Sequence, residues 1–244
     1  MWSLKKLFVF CLLAVSLPAL SKSQEPVKPM SGDTEVIFIL DRSGSMSGLE
    51  SDTIGGFNGM LEKQKKENQN EAYITTVLFD DRYELLHNRI PVSEIKAMTD
   101  KEYFVRGSTA LLDAVGKTIT QVKNNQAKLG KEKAEKVVFI IITDGMENAS
   151  REFPLTEVKR LIETQKEKEN WEFLFLGANI DAVSVAGSFG IDSSKAVKYK
   201  SDSQGTQKNY EVLNQAIQDV RAGKALDSDW KKEIEQDLEQ RENK

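Results

Sequence analysis

The stretch "FILDRSGSMSG", residues 38–48, closes an apolar run with Asp41 and then crowds in Ser43, Ser45 and Ser47. Oxygen atoms gathered at the end of a buried strand suit a turn that favours hydroxyls, a nucleophile, or half of a cation site. Two later stretches have a similar character. "FIIITDGMEN" (139–148) ends a second apolar run in Thr143 and Asp144, and "RGSTALLDA" (106–114) sets Thr109 at the start of a helical pattern. Asp41, Ser43, Ser45, Thr109 and Asp144 together offer two carboxylates and three hydroxyls, with no nitrogen or sulfur. An oxygen-only set suits a hard divalent cation, Mg²⁺ first and Mn²⁺ or Ca²⁺ as alternatives, rather than Zn²⁺ or Cu²⁺.

For these residues to meet, the elements around them must bring their loops together. Continuous apolar runs at 35–40 and 136–142 predict strands covered on both faces. Further strands are predicted at 72–79, 82–90, 171–178 and, more weakly, 195–200, with 80–81 as the turn of a hairpin that makes 82–90 an antiparallel edge. Apolar residues at helical spacing predict helices over 48–67, 108–129, 154–168, 181–190 and 206–223. Gly55 and Gly56 inside the first of these point to close packing of that helix on the sheet, and Ser47 to a cap at its start.

This alternation implies an α/β fold. The expected form is a doubly wound, mostly parallel six-stranded sheet with one antiparallel edge strand and helices on both faces. In such sheets ligands bind beyond the carboxyl ends of the strands, where the strand order reverses. If helices 48–67 and 108–129 cover opposite faces, strands 35–40 and 136–142 are neighbours at that reversal and their loops meet. Helix N-termini near 48 and 109 would point to the same place and favour an anion there.

The motifs resemble those of von Willebrand factor A domains, whose metal-ion-dependent adhesion site (MIDAS) reads D-x-S-x-S, then a threonine, then an aspartate after a later strand. Here these are Asp41-x-Ser43-x-Ser45, Thr109 and Asp144, in order over residues 35 to about 222. More narrowly, the chain looks like bacterial stand-alone A-domain proteins. The resemblance implies that Ser43, Ser45 and Thr109 touch the metal while Asp41 and Asp144 act mostly through water. It also implies that a carboxylate from a protein partner completes the coordination, and that ligand entry can move the last helix, here 206–223.

Plainer roles compete. Serines favour turns and helix starts on their own account. Asp113 reads either as a group orienting metal-bound water or as part of a local helix face. Glu147, Asn148 and Asp80 read as site rim or plain surface, and "NAS" (148–150) matches a glycosylation triplet. An aspartyl-phosphate enzyme would want an acid where Ser43 stands. A serine hydrolase would want a G-x-S-x-G elbow and a histidine base, but "GSMSG" has methionine at its centre and His87 falls in the edge strand. A phosphate-binding G-x-x-x-x-G-K-[ST] loop is absent from the sequence. The expected function is non-enzymatic protein binding through a divalent cation; a metal-dependent phosphatase-like enzyme and a scaffold that leaves the site unused are the alternatives.

Composition sets the remaining bounds. The chain has 34 Lys+Arg against 38 Asp+Glu and no basic stripe, which argues against nucleic acid as a partner. Residues 1–23 set Lys5 and Lys6 ahead of an apolar run from Leu7 to Leu20, too short to span a membrane comfortably and suited to a signal peptide. Cleavage would remove Cys11, the single cysteine, so the mature protein would hold no disulfide. The expected organisation is a signal peptide (1–23), a flexible leader (24–34), an A-type domain (35–223) and a polar helical tail (224–244). In the tail Trp230, Ile234 and Leu238 form one stripe that could dock on the domain or on a partner. The expected location is secreted or extracytoplasmic (periplasm or cell surface), with membrane contact only in transit.

Overall fold

The computed structural model describes residues 32–67 and 70–242. The expected signal peptide and most of the leader lie outside the described residues. Six strands form one sheet: β1 (Thr34–Asp41), β2 (Ala72–Phe79), β3 (Tyr83–Pro91), β4 (Lys136–Thr143), β5 (Glu172–Gly177) and β6 (Ala196–Lys198). Their order is β3-β2-β1-β4-β5-β6. Every pairing is parallel except β2 with β3, so the antiparallel strand lies at an edge as its sequence predicts. The chain first builds outward from β1 through β2 to β3, then crosses to β4 on the other side of β1. The order therefore reverses between β1 and β4, the two strands that end in Asp41 and Thr143.

Every residue of β1 is buried, as expected of a strand with both faces of its sheet covered. Val36, Phe38 and Leu40 pack under α1 (Glu50–Lys66) and α5 (Ser203–Arg221). Ile37 and Ile39 face α2 (Leu111–Leu129) and α3 (Leu155–Glu169), with α4 (Ala182–Ser188) on the same side. Phe38 meets Phe57 of α1 edge-on at 5.2 Å, and Phe139 of β4 stacks on Phe173 of β5 at 4.8 Å. A last helix, α6 (Lys232–Glu242), puts Ile234 into the α1/α5 side of the core. Trp230, just before it, donates its indole N–H to the Ser194 carbonyl at 2.8 Å. The apolar stripe of the tail thus docks on its own chain.

Local details differ from the sequence reading where non-local bonds override propensity. α2 starts at Leu111, not 108, because Thr109 and Ala110 give their N–H groups to Asn148 Oδ1 and to the Asp80 carbonyl. Ser47 does not cap α1: it closes the preceding 3₁₀ turn, its N–H bonded to the Gly44 carbonyl, while the residue before α1 is Leu49, without a side-chain cap, and the chain enters the helix through Gly48 at φ +90°. Gly56 is needed for packing, but against Tyr210 of α5 rather than the sheet, while Gly55 faces open space.

Candidate metal centre

Three hydroxyls meet beyond the ends of β1 and β4. A 3₁₀ turn at Gly44–Met46 brings Ser43 Oγ to 3.0 Å from Ser45 Oγ. Thr109 Oγ1 lies 2.9 Å from Ser43 Oγ, across 66 residues of sequence. The two loops are also tied through their backbones, by Gly44 N–H to Gly107 O at 3.1 Å and Arg106 N–H to Arg42 O at 3.0 Å. Gly145 closes the group from the β4 side. A Cβ there would stand 2.9 Å from Ser45 Oγ and 3.0 Å from Thr109 Oγ1.

Two carboxylates flank the hydroxyls. Asp41 is buried, accepting from its own loop at Ser43 N–H (2.7 Å) and from Thr143 Oγ1 of the next strand (2.6 Å). Burial pushes its carboxyl up to about 6; the bonds from Thr143 and Ser43 pull the other way, and the charge of Asp144 adds to the rise. Asp144, also buried, accepts from Ser201 Oγ at 3.0 Å on one oxygen, while its Oδ1 is buried without a hydrogen-bond partner. A buried carboxylate oxygen left in this state is costly unless something positive or a donor reaches it. Two buried carboxylates and three hydroxyls linked through Ser43 Oγ form a donor set that fits a small hard cation. Among the described residues no group of three or more His, Cys, Asp or Glu side chains is placed to hold a metal.

The three further residues named from the sequence are engaged locally. Asp113 accepts three backbone N–H groups, from Arg151, Glu152 and Phe153, and so anchors the loop before α3. Those bonds offset its partial burial and hold its carboxyl below the usual range. Glu147 accepts from Leu112 N–H at 2.9 Å and from Ala149 and Ser150, acting as a cap for α2 supplied from another loop. Asn148 fixes Thr109 by accepting its N–H at 2.9 Å. With Leu112 N–H on Glu147 and Asp113 N–H on Ser150, these first-turn donors of α2 are not open to an incoming anion.

Several contributors carry no local signature in the sequence. Arg42, inside the D-x-S-x-S stretch, is fully buried. Its guanidinium donates to Asp80 (2.9 Å), Glu84 (2.7 Å) and the Glu102 carbonyl (3.0 Å). Arg106 shares Asp80 at 2.7 Å, and both guanidiniums lie over the Phe104 ring. Asp80 is therefore no surface residue: it is buried, and it ties the two hydroxyl-bearing loops to the β2–β3 turn. Tyr103 holds the Asp41 carbonyl from below, donating at 2.6 Å. The hydrophobic neighbours of Thr143 and the polar loop of Ser201 hide both from motif reading.

No family model and no curated protein matches this sequence. Solved structures do. The PilB minor pilin from Streptococcus sanguinis aligns at TM-score 0.56 and 11% identity, covering 80% of this chain and 63% of the pilin. The vWF domain of the type V pili tip protein Mfa5 from Porphyromonas gingivalis aligns at 0.54 and 10%, covering 77% and 97%. Proximal thread matrix protein 1 of the mussel byssus, with a zinc-occupied MIDAS motif, aligns at 0.50 and 15%, covering 77% and 46%. The shared region spans less than two thirds of the pilin and less than half of the byssus protein. At these identities the likeness is one of fold, and it agrees with the strand order: the chain has a von Willebrand factor A-like α/β fold.

Proposed function

We propose that this chain is a non-enzymatic adhesion-type A domain. It binds a protein partner through a divalent cation held at a MIDAS formed by Asp41, Ser43, Ser45, Thr109 and Asp144. The observation that carries this reading is the meeting of Ser45 and Thr109 on Ser43, each hydroxyl within 3.0 Å of its Oγ, beside two buried carboxylates, one with an unpaired buried oxygen. Ser43, Ser45 and Thr109 would be the direct ligands, with Asp41 and Asp144 behind them. Mg²⁺ is the favoured ion, and Mn²⁺ or Ca²⁺ would serve the same oxygen set. When bound, the cation would supply an attraction for a carboxylate from the partner, since neutral hydroxyls leave its charge largely uncompensated.

The chain's own residues do the rest. Gly145 leaves room above the hydroxyls, and Asn148 and Asp80 hold the Thr109 segment in place. The exposed large apolar residues among those described are Phe104, Met146, Leu155 and Val183. Each lies in a loop at this end of the sheet or in the first turn of a helix that starts there, as suits a surface that meets another protein. The pilus and byssus proteins of similar fold support an adhesive, extracytoplasmic role, reached through the N-terminal signal. Catalysis is disfavoured by the place of His87, which sits on edge strand β3 opposite Thr76 of β2, away from the hydroxyls.

Melting of the chain in chelator and in Mg²⁺, Mn²⁺ or Ca²⁺ tests the metal. At a hundredfold excess over Kd a site of this kind adds about 2.7 kcal/mol, and Asp41→Ala should remove that gain. No stabilisation by any of the three ions would overturn the reading. Capture of partners from host surface or secreted material, with and without EDTA, tests the binding role: partners retained unchanged in EDTA do not use the site.

A further inference from the structure

The C-terminal helix reaches the candidate metal centre through three side chains. α6 is seated by Ile234 in the core and by Lys231, which donates to the Ser193 and Ala196 carbonyls at 2.9 and 2.8 Å. Near its far end Arg241 grips both oxygens of Asp202, at 3.0 and 2.9 Å, while lying 2.9 Å from Asp237 of its own helix. Asp202 is the N-cap of α5, accepting from Gly205 N–H at 2.9 Å. A Cβ at Gly205 would collide with the Lys200 carbonyl, so this turn has little room to shift. The residue before Asp202 is Ser201, whose hydroxyl donates to Asp144 Oδ2 at 3.0 Å.

We propose that α6 positions the metal-centre carboxylate Asp144, with Arg241, Asp202 and Ser201 as positioning residues. The inference rests on the cation reading above and adds a regulator to it. Arg241 fixes the turn at Asp202, the turn fixes Ser201, and Ser201 occupies one oxygen of Asp144, which leaves the buried Oδ1 as the free acceptor. Without Ser201 the carboxylate can rotate, and the orientation that serves a cation is no longer imposed. Hydrogen bonds that orient a ligand are typically worth 10- to 100-fold in metal affinity. The Arg241–Asp202 pair is partly exposed, at 15% and 38% of its side chains, so it adds little to stability itself and its positional effect can be measured apart from folding.

The test is titration of the full chain with Mn²⁺, alongside melting in EDTA. Ser201→Ala should raise the Mn²⁺ Kd by about tenfold and lower the melting temperature in EDTA by a few degrees, because buried Asp144 loses its donor, and Ser201→Thr, which keeps the hydroxyl, should restore both. Arg241→Ala and Asp202→Asn should raise Kd in the same direction. The double variant Ser201→Ala/Arg241→Ala should bind no more weakly than Ser201→Ala alone, because both act on one path. Wild-type affinity in both Arg241→Ala and Asp202→Asn, or full additivity in the double variant, would overturn the role of α6. A wild-type chain that binds no Mn²⁺ would instead overturn the metal reading itself.

Discussion

Thr143 and Asp41 end neighbouring strands 102 residues apart in sequence and share a 2.6 Å hydrogen bond beneath the hydroxyl cluster. That bond does not fully offset burial, which leaves the Asp41 carboxyl at about 6 against an ordinary 3.8. A carboxyl raised on folding contributes stability that is fully present below about 3.8 and lost as the pH rises through about 6. The shift corresponds to about 3 kcal/mol, an order-of-magnitude figure. In chelator, Asp41→Asn should therefore gain on the wild type between pH 4 and 7 and be the more stable protein at pH 7. Urea unfolding at several pH values measures this, and a pH-independent difference would show that the charge of Asp41 is not penalised by burial.

Gly145 separates a ligand defect from a folding defect. Its φ lies outside the left-handed region, so alanine is compatible with the backbone, yet the new methyl would stand 2.9 Å from Ser45 Oγ and 3.0 Å from Thr109 Oγ1. Gly145→Ala should fold with a melting temperature in EDTA within a few degrees of wild type and lose most of the rise produced by Mg²⁺ or Mn²⁺. Retention of the full rise would mean that the three hydroxyls do not share a ligand.

These two residues mark the boundary of what the sequence shows. Asp41, Ser43, Ser45, Thr109 and Asp144 could be singled out because each stands at the end of an apolar run or ahead of a helical pattern, and the strand order follows from alternating periodicities. Thr143 reads as one more strand residue in "FIIIT", and its bond to Asp41 depends on β1 and β4 being neighbours. Asp80 looks like one acid of a "DD" turn, whereas its two arginine partners come from 38 residues before it and 26 after. Ser47 has the right residue type for a cap, but the 3₁₀ turn moves the helix start past it. Local patterns predicted the elements and the ligand-type residues; the groups that hold them in place act through long-range bonds that leave no periodic trace.

Asp80 should be the costliest single polar side chain to remove from this end of the molecule. Its loss leaves Arg42, fully buried, with only Glu84 as a charged partner, and releases Arg106 from the same loop. Breaking a buried ion pair from one side typically costs about 3–5 kcal/mol, so Asp80→Ala should lower stability by about that much in EDTA. Arg42→Met combined with Asp80→Ala should cost less than Asp80→Ala alone, because the stranded charge is gone. The equilibrium unfolding of the two variants gives the comparison, and an equal or larger loss in the double variant would argue against a buried-charge penalty.

The three glycines of α1 should respond in opposite directions to one substitution. Gly55 and Gly59 lie in the helix interior with nothing within 4 Å of where a Cβ would stand. Alanine there costs no contact and reduces the freedom of the unfolded chain, so each change should stabilise by about 0.5–1 kcal/mol. Gly56 faces the ring of Tyr210, which is itself buried and set edge-on to Phe57 at 6.4 Å. A methyl at Gly56 must push α1 and α5 apart or turn that ring, and overpacking of this kind costs about 1–3 kcal/mol, more than the propensity gain returns. Gly56→Ala should therefore destabilise while Gly55→Ala and Gly59→Ala stabilise, as thermal unfolding of the three variants will read directly. Because α5 begins two residues after Ser201, Gly56→Ala should also weaken Mn²⁺ binding where the other two leave it unchanged, and equal affinity in all three would show that the α1–α5 seam is not coupled to the centre.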